Sequence, residues 1–290
     1  MSTNLPRRAR RFSEFLQARV ERASPERYIY DKLRIKEIGR AAGVPVPETF
    51  AVYDAPEAVS LDHPLPFVLK PTLSADKRGV HVLTERVGRG YRDALTGRLV
   101  TAEGIAGELR AALGGRCARN QFLVEEKVAG ANKGIPFDYK FYVIGGEVVM
   151  GTMFDRNTQP TSMAVFDPSW TDVPEEEVLR PASAPVQHRS VALPPHADQL
   201  TDAAQKVARE IDANLIRVDL YATTDGPLLG EITYASGPAH FARMYRFSPA
   251  FDAALGKRWA EANERLGLPI PTITEEPPTI RRELAERRAS

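Results

Sequence analysis

The chain has 290 residues, with 39 Lys and Arg against 38 Asp and Glu, so no net field draws in nucleic acid or an anionic membrane surface. That length can bury a sizeable core, as one large domain or two lobes. The single Cys117 excludes an intrachain disulfide and a cysteine-built zinc site, and it favours a reducing, cytoplasmic setting. The arginines of MSTNLPRRARRF precede no apolar run, so no signal peptide is expected, and no stretch approaches the ~20 apolar residues of a membrane span.

In chain order, residues 9–22 read as a basic amphipathic helix, a solvated helix in preference to one whose face meets a partner. SPERYIYDKLRIKEIGRAAG places a helix over about Asp31–Ala42, with Leu33, Ile35 and Ile38 as its apolar positions and Gly43 as its stop. VPVPETFAVYD is a strand bounded by prolines, PFVLKPT (66–72) a short buried strand ending in Lys70, and GVHVLTE (79–85) another strand. TAEGIAGELRAALGG (101–115) is a helix with a Gly stop, and QFLVEEKV (121–128) a strand ending in acids. DYKFYVIGGEVVMGTMF (138–154) reads as a hairpin turned at Gly145-Gly146. Residues 155–195 carry seven prolines from Pro160 to Pro195 and read as irregular, either a functional loop or a disordered segment. HADQLTDAAQKVAREID (196–212) is an amphipathic helix and FSPAFDAALGKRWAEANERLG (247–267) a closing helix. The tail from Pro269 is Pro-rich, then charged. Strands and helices mix without βαβ regularity, so the expected class is α+β with mainly antiparallel sheets.

Between these helices, IRVDLYATTDGPLLGEITY (216–234) reads as a hairpin around a three-residue loop, Thr224-Asp225-Gly226, with Gly226 left-handed. That loop sets Asp219 opposite Glu231 and Arg217 opposite Thr233, with Val218, Leu220 and Ile232 on the other face. Two facing carboxylates cost stability. Either a divalent cation sits between them, completed by substrate phosphates with Arg217 beside it, or the residues form an Arg–Asp–Glu salt-bridge cluster. Lys70 can likewise snorkel or meet a ligand, and Glu125 and Glu126 can protect a sheet edge or accept hydrogen bonds from an adenine amine and ribose hydroxyls. Asp138 and Arg156 flank the Gly145 hairpin and suit substrate contact or surface pairing. His240 suits the acceptor's vicinity or a structural loop. Trp170 and Trp259 read as packing residues.

DKLRIKEIGRAAGVPVPETF, PFVLKP, FLVEEKV, FDYKFYVIGGEVV, IRVDLY, GEITY and FDAALGKRW, in this order from Tyr30 to Trp259, resemble the ATP-grasp superfamily and, within it, the TupA-like family named for a teichuronopeptide biosynthesis protein. The resemblance implies an ATP-grasp fold, two α+β subdomains gripping ATP between mainly antiparallel sheets. It implies that Lys70 contacts ATP phosphates and the adenine side, that Glu125 and Glu126 lie at the hinge near adenine and ribose, and that Val128 lines the adenine pocket. Lys140 would point into the nucleotide cleft, Arg217 would hold the transferring phosphate or the acyl phosphate, and Asp219 and Glu231 would hold Mg²⁺. Glu231-Ile232-Thr233 departs from the Glu-x-Asn of many superfamily ligases, though TupA-like proteins often carry Thr there. TLSADKRG (72–79) has one Gly where the phosphate-covering loop is usually Gly-rich, which shifts that task to Lys77 and Arg78.

The function implied is an ATP- and Mg²⁺-dependent, ADP-forming carboxylate–amine ligase acting through an acyl phosphate on small-molecule carboxylate and amine substrates. A kinase acting on a hydroxyl or sugar, and a non-catalytic nucleotide-binding regulator, are the alternatives. The expected organisation is 1–60, N-terminal helical region and first strand; 61–130, the subdomain with Lys70 and the hinge; 131–268, the subdomain with the metal-binding hairpin; and 269–290, the tail. No nucleic-acid partner and no membrane span are expected, and a homodimer is compatible with the sequence.

Overall fold

The computed structural model describes residues 7–21, 31–74, 77–130, 134–179, 184–234 and 244–273. His240, Asp76, most of the tail and the residues just before the Asp31 helix lie outside these. Five helices are used below: α1 (Phe12–Glu21), α2 (Lys32–Ala41), α3 (Ala102–Leu113), α4 (Ala197–Ile211) and α5 (Pro249–Arg265). The strands are β1 (Arg7–Arg8), β2 (Thr49–Tyr53), β3 (Phe67–Pro71), β4 (His81–Val87), β5 (Gly90–Asp93), β6 (Leu99–Val100), β7 (Phe122–Glu126) and β8 (Asp138–Ile144). They continue with β9 (Glu147–Asp155), β10 (Ser162–Phe166), β11 (Val178–Leu179), β12 (Gln187–His188), β13 (Leu215–Thr223), β14 (Gly226–Thr233), β15 (Arg246–Phe247) and β16 (Thr272–Ile273).

The helix starts follow from local chemistry. Asp31 accepts the Leu33 amide at 2.9 Å, Thr101 accepts that of Gly104 at 3.2 Å, and Ser248 accepts that of Phe251 at 3.1 Å with Pro249 next in the chain. Each cap satisfies a first-turn N–H that has no partner within its helix.

Two six-stranded sheets carry the fold. The first, in the order β2-β7-β3-β4-β5-β6, is antiparallel throughout. One of its faces buries Phe67, Leu69, Phe122 and Val124 against Ile105 and Leu109 of α3. Strand alternation then turns Val68, Lys70, Leu123 and Glu125 to the opposite face. The second, in the order β12-β10-β9-β8-β13-β14, is antiparallel except where β10 meets β12. Its back face buries Tyr139, Phe141, Val218, Leu220 and Ile232 against α2 and α4. Its front face is divided. At one end Tyr142, Met150, Met163 and Leu215 pack with Phe12, Phe15 and Trp259 of α1 and α5. At the other end it carries Asp138, Lys140, Arg217, Asp219 and Glu231.

Three sequence expectations change. Residues 155–195 are not irregular throughout, because Ser162–Phe166 is a strand whose five residues are all buried between β9 and β12. A strand covered on both faces has no alternating pattern, so the prolines on either side of it hide it in the sequence. α1 is not simply a solvated helix, because Phe12, Phe15 and Leu16 are at most 2% exposed and Phe15 stacks on Trp259. Burying each such aromatic contributes about 2–3 kcal/mol, which outweighs the solvation that the flanking arginines suggest. The β13–β14 hairpin reaches the expected register by another route. Thr223 pairs directly with Gly226, leaving a two-residue turn, and a bulge at Gly230 restores Asp219 opposite Glu231 and Arg217 opposite Thr233. A Cβ on Gly230 would lie 2.7 Å from the Tyr221 ring, so a larger residue at this bulge would have to displace that ring. The Gly145-Gly146 hairpin forms as expected, with φ of 60° and 89° at the two glycines. Trp170 stacks on Phe166 and Trp259 is 2% exposed, so both are packing residues.

Candidate functional site

The charged end of the large sheet's front face meets Glu125 and Lys70 of the smaller sheet at a cleft bordered by α2. Lys32 opens α2, and its charge is felt against those of Lys70, Glu231 and Glu125. Tyr221, on the large sheet, senses Glu125 as well as Asp138, Asp219 and Glu231. Leu229 donates its amide to Pro45 at 2.8 Å, which ties β14 to the segment after α2.

On the first wall Lys70 does not simply snorkel. It forms an ion pair with the buried Glu125. Lys36 of α2 meets the other carboxylate oxygen, Oε2, at 2.8 Å, and its ammonium also donates to the Pro47 carbonyl at 2.5 Å. Each oxygen of the buried Glu125 carboxylate therefore faces its own ammonium, Oε1 that of Lys70 and Oε2 that of Lys36. Burial alone would raise the Glu125 pKa, but Lys70 and Lys36 hold it below the ordinary carboxylate range. Burial, then the Lys70 charge, pushes Lys32 down to about 8. Its ammonium donates to the Ser74 carbonyl at 2.6 Å, anchoring the TLSADKRG loop. Lys77 and Arg78 are exposed on that loop, with Lys77 left-handed at φ 61°. Glu126 and Val128 are half-buried where β7 leaves its sheet.

On the second wall Asp219 is 3% exposed and doubly held. Arg217 Nε and Nη2 donate to its two oxygens at 2.6 and 2.8 Å, and Lys140 donates to the second oxygen. Burial opposes ionisation of Asp219, yet Arg217 and then Lys140 outweigh it and keep its pKa low. Burial would lower Lys140, but Asp138 and Asp219 hold it above its ordinary value. Asp138 takes the Lys140 ammonium at 2.8 Å and Arg156 at 3.1 Å, so Asp138 and Arg156 pair with each other. Glu231 differs from Asp219. It is exposed, and the surrounding protein mass, followed by the Asp219 charge, raises its pKa. Two residues along, Thr233 Oγ1 is buried with no hydrogen-bond partner.

The structure thus gathers Lys70 and Glu125 on one wall and Lys140, Arg217, Asp219 and Glu231 on the other. Lys32 and Lys36 were not singled out from sequence. Their signal was present, because i and i+4 share a helix face and a lysine between Ile35 and Ile38 falls in an apolar stripe. The partner, Glu125, lies 89 positions away (125 − 36) and has no local trace.

Two α+β lobes with mainly antiparallel sheets around a cationic cleft define the ATP-grasp fold. The TupA-like ATP-grasp family model matches residues 116–260, half of the chain, and the chain belongs to that family. The match covers the second wall and β7; Lys32, Lys36 and Lys70 precede it. No curated protein matches the sequence. Similar solved structures include the D-alanine–D-alanine ligase of Bacillus anthracis complexed with ATP, at 14% identity and TM-score 0.49, covering 82% of this chain and 67% of that one. The ATP-grasp ligase PsnB complexed with a phosphomimetic minimal precursor, Mg and ADP aligns at 15% identity and TM-score 0.46, covering 83% of this chain and 61% of that one. A RimK domain ATP-grasp protein from Sphaerobacter thermophilus aligns at 15% identity and TM-score 0.43, covering 81% of this chain and 67% of that one. The chain therefore spans about three fifths of the PsnB chain. Among the described residues, no helix is long and apolar enough to cross a membrane.

Proposed function

We propose that the protein is an ATP- and Mg²⁺-dependent carboxylate–amine ligase that releases ADP and activates its carboxylate as an acyl phosphate. The observation that carries this reading is the cleft itself, where Lys32, Lys70, Lys140 and Arg217 surround the carboxylates of Glu125, Asp219 and Glu231. Thr233 Oγ1, beside Glu231, is a buried oxygen without a hydrogen-bond partner, as expected of a position that completes its contacts on a ligand.

The residues present fit a nucleotide with a divalent cation. Glu231 and Asp219 are opposed in register with Thr233 alongside, a set of oxygen donors suited to Mg²⁺. Among the described residues no three His, Cys, Asp or Glu side chains form a metal cluster. A cation here would therefore take its remaining ligands from phosphate oxygens and water. When bound, ATP would supply the phosphoryl group and Mg²⁺ would neutralise its charge. Glu125 and Glu126 would receive the adenine and ribose, with Val128 against the base, and Lys70, Lys77 and Arg78 would face the phosphates. Arg217 and Lys140 would orient the carboxylate and offset developing negative charge. Residues 61–130 and 131–268 would act as the two gripping lobes, after an N-terminal region 1–60 and before a tail 269–290. The substrates would be a small carboxylate and an amine.

Asp219, already matched by Arg217 and Lys140, favours a second reading in which the cleft binds nucleotide without turnover. Incubating the protein with Mg-ATP and pooled organic acids and amines, then reading ADP against AMP and searching for an amide, tests the proposal. ADP with an amide supports the ligase. AMP release overturns the acyl-phosphate route, and binding without consumption supports the second reading.

A further inference from the structure

We propose that Lys36 is a positioning residue that stays on the Glu125 carboxylate so that Lys70 can leave it for an anionic ligand. This inference rests on the nucleotide reading above and adds to it a residue outside the family match. One buried carboxylate here has two lysines, and the two are not equivalent. The Lys36 side chain is 5% exposed and is also tied to the Pro47 carbonyl at 2.5 Å. The Lys70 side chain is 17% exposed, at the cleft end of β3. Lys36 is therefore the fixed partner and Lys70 the one with room to move.

The arrangement matters because a buried charge that loses its last partner is strongly destabilised. If Lys70 alone neutralised Glu125, moving toward a phosphate would leave that carboxylate bare, and Lys70 would be held back. With Lys36 in place the carboxylate keeps a counter-charge on Oε2 when Lys70 leaves Oε1. Two lysines on one carboxylate also leave an uncompensated positive charge. Lys32, itself pushed down by burial and then by the Lys70 charge, adds a further like charge, so an incoming anion relieves repulsion as well as gaining contacts.

A double-mutant cycle read by calorimetry tests this, using Mg-ATP and four full-length proteins: wild type, Lys36→Met, Glu125→Gln and the double variant. Lys36→Met is expected to weaken Mg-ATP binding roughly tenfold or more, because Lys70 is then retained by Glu125. In the Glu125→Gln background nothing retains Lys70, so adding Lys36→Met should change affinity by no more than about twofold. A purely packing role for Lys36 predicts the same change in both backgrounds, and either that result or an unaltered Lys36→Met affinity overturns the proposal. Should Lys36→Met show no cooperative melt, the decision falls to the double variant against Glu125→Gln. Equal affinities support the proposal, and a loss of roughly tenfold overturns it. Failure of the wild type to bind Mg-ATP overturns the ligase reading together with this one. Binding without coupling overturns this one alone.

Discussion

Glu231→Gln separates a metal-facing carboxylate from a salt-bridge partner. Glu231 faces Asp219 across β13 and β14, but Arg217 and Lys140 already match the Asp219 charge. A directly opposed pair of charges is worth roughly 0.2–1 kcal/mol. With Asp219 screened and Glu231 exposed, removing the second charge should stabilise the free protein by about 0.5 kcal/mol or less. At roughly 2–4 °C per kcal/mol for a chain of this size, the melting temperature should rise by no more than about 2 °C. The pH dependence has a definite sign. The folded Glu231 carboxyl is raised above 4.5, first by desolvation from the surrounding protein and then by Asp219, so its ionisation costs the folded state stability as pH rises from 4.5 through the folded value. The glutamine variant lacks that loss. Turnover should fall roughly a hundredfold, as when one fixed contact to developing charge is removed.

Asp219→Asn is the contrasting control. It leaves Arg217 buried without its ion-pair partner, while Lys140 keeps Asp138, at a cost of about 3–5 kcal/mol, or a melting point lower by on the order of 10 °C. Because the folded Asp219 pKa is lowered, the wild-type contribution is present above the unfolded value of 3.8 and is lost as pH falls through the folded value. Thermal unfolding with and without Mg-ATP, alongside ADP release, reads both variants. A Glu231→Gln protein that melts several degrees early yet turns over normally would refute the reasoning and assign Glu231 to the salt-bridge cluster.

Three further outcomes are expected. Lys70→Ala should remain folded, since Lys36 still holds Glu125, while nucleotide affinity measured by calorimetry falls roughly tenfold or more; unchanged affinity would detach Lys70 from the ligand. With Lys32 near pH 8 in the free protein, bound phosphates would favour its protonated form. Binding at pH 8 should then take up protons, seen as a dependence of the calorimetric heat on buffer ionisation enthalpy, and Lys32→Met should abolish it. Gly230→Ala should cost about 1–3 kcal/mol through its clash with the Tyr221 ring, read by denaturant melts, and an undisturbed stability would show that the bulge tolerates a side chain.

Sequence alone determined what short-range chemistry controls. The caps at Asp31, Thr101 and Ser248, the Gly145-Gly146 hairpin and the face alternation of β13 and β14 are settled within a few residues by hydrogen bonding, positive φ and period. The opposition of Asp219 and Glu231 was legible too, although the assumed three-residue loop proved to be a two-residue turn plus a bulge, two routes with one net offset. Tertiary structure decided where the pairing is distant. Lys140 reaches Asp219 across 79 positions and Lys36 reaches Glu125 across 89, so neither spacing leaves a periodic signal. It decided the fate of Ser162–Phe166 and of α1 as well, because a strand buried on both faces has no alternation and a basic helix buries its aromatics only when α5 supplies a surface. Above all, it decided which charges are balanced. A carboxylate's ionisation depends on the dielectric and the cations around it, and those are assembled only when two sheets and α2 close on one cleft.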